Sequence, residues 1–229
     1  MEEVTVILVL RSGGDFAFKD VQLITYHLRK QWKGDQGSLR IICLYDKVSQ
    51  PFPLVGLTLL PMETAWRGWW SKMNVFAPEL EEFRPFLYLD LDTAVVGDIK
   101  HLIPRKNISD FVCLCDFYRS GVLASGVMQI PAQSLKISKI WNHWILNPGG
   151  YMKKFRGDQD FIRSVANADL FWQDIVDDRI CTFKPWKKGW VHKVPDKTSL
   201  VCFHGKPRIW QAAKKVKWVD NYINVNYEE

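Results

Sequence analysis

The sequence predicts an α/β fold in a single domain, with a mixed, mostly parallel central sheet flanked by helices. Three observations carry this expectation. Strand-like and helix-like segments alternate over residues 4–90, the order of a parallel sheet wound with helices. The run Phe86-Leu87-Tyr88-Leu89-Asp90-Leu91-Asp92-Thr93-Ala94-Val95-Val96 sets two carboxylates in an apolar, strand-like stretch. That pattern suits the carboxyl end of a central strand, where open α/β sheets place their ligands. The length, 229 residues, is enough for one good core in one larger-than-average domain.

Each element has its own signal. Val4 to Leu10 is an apolar, β-branched run that stops at Arg11-Ser12-Gly13-Gly14-Asp15, a strand followed by a loop. From Phe18 to Trp32, Val21, Ile24, Leu28 and Trp32 recur near helical spacing. Arg40 to Tyr45 reads as a second strand, and Leu57 to Leu60, bounded by Pro53 and Pro61, as a short third. Helical spacing returns over Ser71 to Phe83, with Met73, Phe76, Ala77 and Leu80 apolar and Pro78 interrupting. After the acid-bearing strand, Phe111 to Cys115 and Gly126 to Ile130 read as strands. Leu135 to Leu146 reads as a helix carrying Trp141 and Trp144, and Gly157 to Ala166 as a helix opened by a Gly-Asp signal. The remainder reads as loop with one strand at Leu200 to Phe203, and Asn221 to Glu229 as a frayed tail. No internal repeat or low-complexity linker divides the chain.

Composition narrows the function classes. The net charge of +6, much of it in Lys184 to Lys193 and Lys206 to Lys217, points to an anionic partner: a nucleotide diphosphate, an anionic membrane surface or a nucleic acid. No zinc-finger spacing, RNP signature or clear helix-turn-helix is present, so no specific nucleic acid is expected. No apolar run reaches the roughly 20 residues that span a bilayer. Met1-Glu2-Glu3 followed by a β-like run lacks the pattern of a secretory signal, and the expected location is cytoplasmic. Five cysteines are too few and too scattered for a disulfide framework; Cys43, Cys113, Cys115 and Cys202 lie in apolar runs and are expected as buried free thiols. The eleven tryptophans are expected mostly in the core, with a minority stacking on sugar faces or at an interface.

Chemistry accumulates around the acid pair. On a strand Asp90 and Asp92 share a face, and two like charges in an apolar setting need a cation or donors to compensate them. A divalent metal is the simplest compensation. Val201-Cys202-Phe203-His204-Gly205-Lys206-Pro207 then acquires meaning: His204 could give the metal a nitrogen, Gly205 admits a phosphate close to the backbone, and Lys206 neutralises it. Otherwise His204 is a hydrogen-bonded structural residue. Two carboxylates, an imidazole and diphosphate oxygens suit Mn²⁺, with Mg²⁺ as the alternative. Three further segments bear on the same chemistry. Arg67-Gly68-Trp69-Trp70-Ser71-Lys72 supplies Lys72, or merely a solvated helix lysine. Leu123-Ala124-Ser125-Gly126-Val127-Met128 exposes backbone amides at Ser125 and Gly126, or forms a plain turn. Gly157-Asp158-Gln159-Asp160 offers acids and an amide, or a helix cap at Asp158 and a solvated Asp160.

In this order the five segments resemble nucleotide-sugar glycosyltransferases of the GT-A, Rossmann-like fold, and most of all glycosyltransferase family 8 with its bacterial and phage relatives. The likeness runs from Val4 to about Pro207. It implies residues 1–100 as the nucleotide-binding half, 101–210 as the half for donor sugar and acceptor, and 211–229 as a tail. It also implies a UDP-sugar donor and sugar transfer to an acceptor hydroxyl with retention. By resemblance Asp90, Asp92 and His204 hold the metal, while Gly205, Lys206 and Lys72 contact the diphosphate. Ser125 and Gly126 contact the sugar, and Asp158, Gln159 and Asp160 surround the reacting carbon. Leu10, Arg11 and Ser12 fall near the nucleotide by position. Ser125 replaces the family's usual Asn, and the 11–15 loop lacks its threonine and tyrosine signals around the base. An inverting relative would use Asp160 or Asp116 as base. Two other classes compete: a nucleotide-sugar-binding module without turnover, and a metal-dependent phosphoryl-transfer enzyme, which would need further carboxylates. The segment Arg208 to Tyr222, with Ile209, Trp210, Val216, Trp218 and Val219 among Lys214, Lys215 and Lys217, either lies on a membrane or packs on the domain. The first would suit a glycan or glycolipid acceptor.

Overall fold

The computed structural model describes residues 3–47, 53–102, 109–185 and 189–225. The basic run 184–193 and the tail 221–229 therefore lie partly outside the described residues. Among the described residues ten strands form two sheets. Strand β1 (Val4–Leu10) pairs in parallel with β2 (Leu39–Tyr45) on one side and β4 (Phe86–Leu89) on the other, and β3 (Thr58–Pro61) extends β2 in parallel. Beyond β4, β7 (Leu123–Ile130) runs antiparallel to both β4 and β6 (Val112–Cys115), and β8 (Leu170–Phe171) closes the edge in parallel with β6. The order is β3-β2-β1-β4-β7-β6-β8. A second sheet, β5-β10-β9, is built from β5 (Thr93–Val95), β9 (Ile180–Thr182) and β10 (Leu200–Cys202).

Strand alternation divides the core between the faces of the large sheet. Val6, Leu8, Leu10, Leu87 and Leu89 point to one face, where α1 (Phe18–Gln31) brings Val21, Ile24 and Leu28. Ile7, Phe86 and Tyr88 point to the other, where Met73, Phe76 and Trp144 of α2 (Leu135–Leu146) cover them. A third cluster joins Ala94 and Val201 of the small sheet, and Phe203 just after it, to α6 (Ile209–Ala213) and α7 (Lys217–Ile223).

Four sequence expectations change. The helix over 71–83 is two 3₁₀ segments, Gly68–Phe76 and Pro78–Phe83, parted at Ala77, whose extended backbone follows from the proline after it. The acid-bearing strand stops at Leu89, so Asp90 and Asp92 sit in the turn between β4 and β5 rather than on one strand face. Ser125 and Gly126 lie inside β7 rather than opening it, at an irregularity: Cys113 pairs with Met128 and Leu114 with Ala124, leaving 125–127 without partners in β6. Such a bulge re-aims side chains beside a site. Finally, the loop-rich remainder holds further short elements, α3 (Pro148–Lys154), α5 (Trp172–Ile175), β8, β9, α6 and α7, whereas the helix expected over 157–166 is present as α4 (Asp158–Val165). The segment 208–222 is not an apolar face left for a membrane, because Ile209, Val216, Val219 and Tyr222 are buried against the domain. Among the described residues no helix is long and apolar enough to cross a membrane.

Candidate active site

β2 and β3 lie to one side of β1 and β4 to the other, so the crevice beyond the ends of β1 and β4 is the switch point of the sheet, where α/β folds bind ligands. A pocket of about 390 Å³ opens there, lined among others by Arg11, Asp15, Trp69, Lys72, Tyr88, Asp90, Asp92 and Arg208. Of the sequence-predicted residues it gathers Arg11, Lys72, Asp90 and Asp92.

Its floor is an ion cluster. Lys72 Nζ lies 3.0 Å from Asp90 and 3.0 Å from Asp158, and donates to Ser125 Oγ at 3.1 Å. Ser125 in turn donates to Asp158 at 2.7 Å, and the Tyr88 hydroxyl to Asp90 at 2.5 Å. The Asp90 amide donates to Gly126 O at 2.8 Å, and a Cβ on Gly126 would touch Asp90 Oδ2 at 3.4 Å. Burial pushes Asp90 up to about 6 against the charge of Lys72, with Asp92 and Asp158 adding to the rise. Burial works against the Lys72 cation, but Asp158 and Asp90 outweigh it and raise its pKa. The cluster therefore favours additional positive charge.

Asp92 has a different partner, Arg208, whose Nη1 is 2.8 Å away and whose Nε reaches Asp15 at 2.9 Å. The sequence reading missed Arg208 as a pocket residue and took it only as the start of a basic segment. On the loop after β1, Arg11 donates to Asp46 at 2.6 Å and to Trp66 O at 3.2 Å, and the Ser12 amide to Asp46 at 3.0 Å. Asp46, directly after β2, was also missed, although an acid at the carboxyl end of a parallel strand is a legible signal. Leu10 is buried in the core.

The 204–206 loop stands just behind. The Phe203 amide donates to Asp92 O at 2.9 Å, so His204 follows directly on the acid turn. Its Nε2 is 2.7 Å from Thr182 Oγ, and its ring stacks on Phe117. Burial and the charge of Lys184 lower its pKa, against Asp92 and Asp116. Lys184 Nζ donates to the carbonyls of His204 and Lys206 at 2.6 Å each. The pocket-lining residues include neither His204 nor Gly205 nor Lys206, and Gly205 and Lys206 are exposed. In α4, Gly157 is the N-cap and Asp158 faces the ion cluster, while Asp160, two residues on, pairs with Arg156 at 3.0 Å and Arg163 at 3.2 Å. Residues two apart on a helix do not share a face. Gln159 between them is half-buried. Asp116 is tied to Arg119 at 2.7 Å. All five cysteines are free: Cys43, Cys113 and Cys202 are buried, Cys115 and Cys181 half-buried.

No family model matches the chain, and no curated protein matches its sequence. Solved structures do match. GlyE, a glycosyltransferase of Streptococcus pneumoniae TIGR4, aligns over 99% of this chain and 61% of its own with a TM-score of 0.70 at 13% identity. The apo WbbM bifunctional glycosyltransferase aligns over 99% and 50%, with a TM-score of 0.66 at 10% identity. The chain has the GT-A glycosyltransferase fold. Mouse xyloside xylosyltransferase 1 shares it over 88% of this chain and 98% of its own, with a TM-score of 0.52 at 12% identity. This chain spans about three fifths of the GlyE chain and half of the WbbM chain. Identities this low establish the GT-A fold and leave donor, metal and acceptor to the site itself.

A GT-A site implies a divalent cation, and the donor chemistry here accommodates one in part. Asp90 and Asp92 are hard oxygen donors on one pocket, in a cluster that gains from added positive charge. Among the described residues, no group of three His, Cys, Asp or Glu side chains is arranged to hold a metal ion, and His204 Nε2 is directed to Thr182. The fit therefore rests on the two carboxylates, Asp90 and Asp92.

Proposed function

We propose that this protein is a metal-dependent glycosyltransferase that takes a sugar from a nucleotide diphosphate donor, a UDP-sugar, and passes it to an acceptor hydroxyl. The observation that carries the reading is the half-buried pair Asp90 and Asp92 at the β1/β4 switch point of a GT-A fold, in a pocket that also holds Lys72. Asp90 and Asp92 would hold Mn²⁺, whose fixed positive charge stabilises the departing diphosphate. Lys72, locked between Asp90 and Asp158, holds the turn in shape and keeps a second positive charge beneath the pocket without reorganisation. Asp158, fixed by Ser125 and Lys72, orients the first turn of α4, and Gln159 is the residue of that turn assigned to the reacting carbon. Both carboxylates considered as an inverting base are already held by arginines, Asp160 by Arg156 and Arg163 and Asp116 by Arg119. That supports retention.

Binding tests the reading before turnover does. Ligand at 100 times its Kd adds about 2.7 kcal/mol to stability, which for a chain of this size is a rise of roughly 5–10 °C in Tm. A panel of UDP-sugars with Mn²⁺ is expected to include a donor giving such a rise, diminished by EDTA. No rise with any nucleotide sugar would overturn the reading.

A further inference from the structure

We infer that the acceptor of this protein is an oligosaccharide, its terminal sugar stacked on Trp69 at the rim of the donor pocket and its preceding sugars seated in a second, aromatic groove walled by Trp66 and Trp141. The inference rests on the glycosyltransferase reading above and deepens it by naming the acceptor class.

Among the described tryptophans Trp69 alone is exposed, at 61%, and it lines the pocket that holds Lys72 and Asp90. Leaving so large an apolar face in water forgoes burial that a stacked ligand would restore. The seat of the indole is made by Gly157, the N-cap of α4: a Cβ there would stand 3.2 Å from Trp69 Nε1, so a side chain would press on the ring. Trp69 therefore lies beside the first turn of α4, next to the segment that carries Gln159. The acid pair is half-buried while the indole stands out in solvent, so the sugar it meets is the one that arrives from outside, the acceptor.

A second groove, of about 380 Å³, shares a wall with this pocket. The segment 63–69 supplies Glu63, Thr64 and Trp66 to the groove and Gly68 and Trp69 to the pocket. Trp66 and Trp69 are three residues apart, so at most roughly 10 Å separates their Cα atoms. In the groove the rings of Trp66 and Trp141 stand 6.0 Å apart at 66°, an open corner, with exposed Glu63 and Glu79 among the lining residues. A sugar ring presents C–H faces and hydroxyl edges, which match flat indoles and carboxylate acceptors in turn. The shared wall is pinned from behind: Asn74 donates to the carbonyls of Thr64 at 3.0 Å and Ser71 at 2.9 Å, and Arg11 donates to Trp66 O at 3.2 Å. A glycan that crosses it meets a surface already in place, which lowers the cost of binding.

The test measures binding of labelled protein, with UDP and Mn²⁺, to a printed array of mono-, di-, tri- and tetrasaccharides and of alkyl monoglycosides. It compares wild type, Trp69→Ala, Trp141→Ala and Ile145→Glu. Ile145 lines the groove and is 49% exposed, so its substitution keeps the test decisive where Trp141→Ala does not fold. Wild type is expected to hold a tri- or tetrasaccharide about tenfold or more tighter than the matching monosaccharide. Trp69→Ala should weaken short and long glycans alike, by roughly tenfold. Trp141→Ala and Ile145→Glu should instead remove the gain with length and spare the monosaccharide. A merely structural role would weaken every length in the groove variants, and that result overturns the inference. So does a wild type that binds no oligosaccharide more tightly than its monosaccharide, or one that gains from an alkyl chain and not from added sugars. Calorimetric titration of wild type with UDP and Mn²⁺ separates the two readings. No UDP binding overturns the donor-pocket reading, whereas UDP binding without length-dependent glycan binding overturns the acceptor inference alone.

Discussion

Lys72 shows how much of the candidate site's ionic structure a single buried side chain can hold together. It is buried, and its charge is tolerated because Asp90 and Asp158 each lie 3.0 Å from it and Ser125 accepts a further bond. Lys72→Met removes the cation and strands two carboxylates in a low-dielectric setting, which costs about 3–5 kcal/mol for a buried pair broken on one side. Urea unfolding measures this, and a loss below about 1 kcal/mol would show the cluster to be solvated. At this scale the sequence is uneven. Lys72 and the acid pair stand out because their motifs set charge against apolar neighbours. Arg208 does not, because in the basic run 206–217 it looks like any solvated cation, and its pairing with Asp15 spans 193 residues. Local periodicity holds no information about such a contact.

Among the elements, the docking of α7 on α1 is the feature with a pH signature. His27 of α1 stacks on Tyr222 of α7 at 3.8 Å between ring centres, nearly coplanar at 9°, and its Nε2–H donates to Tyr222 O at 2.8 Å. Burial lowers the pKa of His27, against the Tyr222 carbonyl and with a small contribution from Lys30. The unfolded chain thus binds a proton, at an ordinary pKa near 6.5, that the folded chain resists. Stability from this group is full above pH 6.5 and falls as pH drops through it. Thermal unfolding from pH 7.5 to 5 should show that slope in wild type and a shallower one in His27→Gln; equal slopes would contradict the assignment. Packing of 208–222 on the domain was one of the two readings the sequence allowed, but its helices were not legible, because α6 and α7 are too short for a clear helical period and their folding depends on burial of Ile209, Val216, Val219 and Tyr222. Only the last residues of α7, from Asn221, fell in the stretch read as a frayed tail. The strands β1, β2 and β4, buried on both faces, were legible as continuous apolar runs. The 3₁₀ segments at 68–83 were read as one helix because their apolar residues fall near helical spacing, while the break at Ala77–Pro78 sets the geometry.

Across the whole molecule, the site exists because the chain leaves one sheet for another at Asp90-Leu91-Asp92. β4 ends there beside β1, β5 begins the second sheet, and β10 pairs with β5 so that His204 follows the Phe203–Asp92 backbone bond. Sequence motifs more than a hundred residues apart are thereby brought together around the turn: Lys72 and Asp158 beneath it, Arg208 across its mouth. The resemblance carried by those motifs anticipated the fold, which the structural matches to glycosyltransferases bear out at identities of 13% and below. What the motifs left out is the internal ionic wiring, since which cation faces which acid is decided by the packing of two sheets. The central claim, that Asp90 and Asp92 serve sugar transfer, is tested most directly by UDP release from UDP-sugars with Mn²⁺ in wild type and in Asp92→Asn. The account predicts release in wild type that EDTA abolishes and that falls at least about a hundredfold in a folded Asp92→Asn. Undiminished release in that variant, or no release from any donor in wild type, would contradict it.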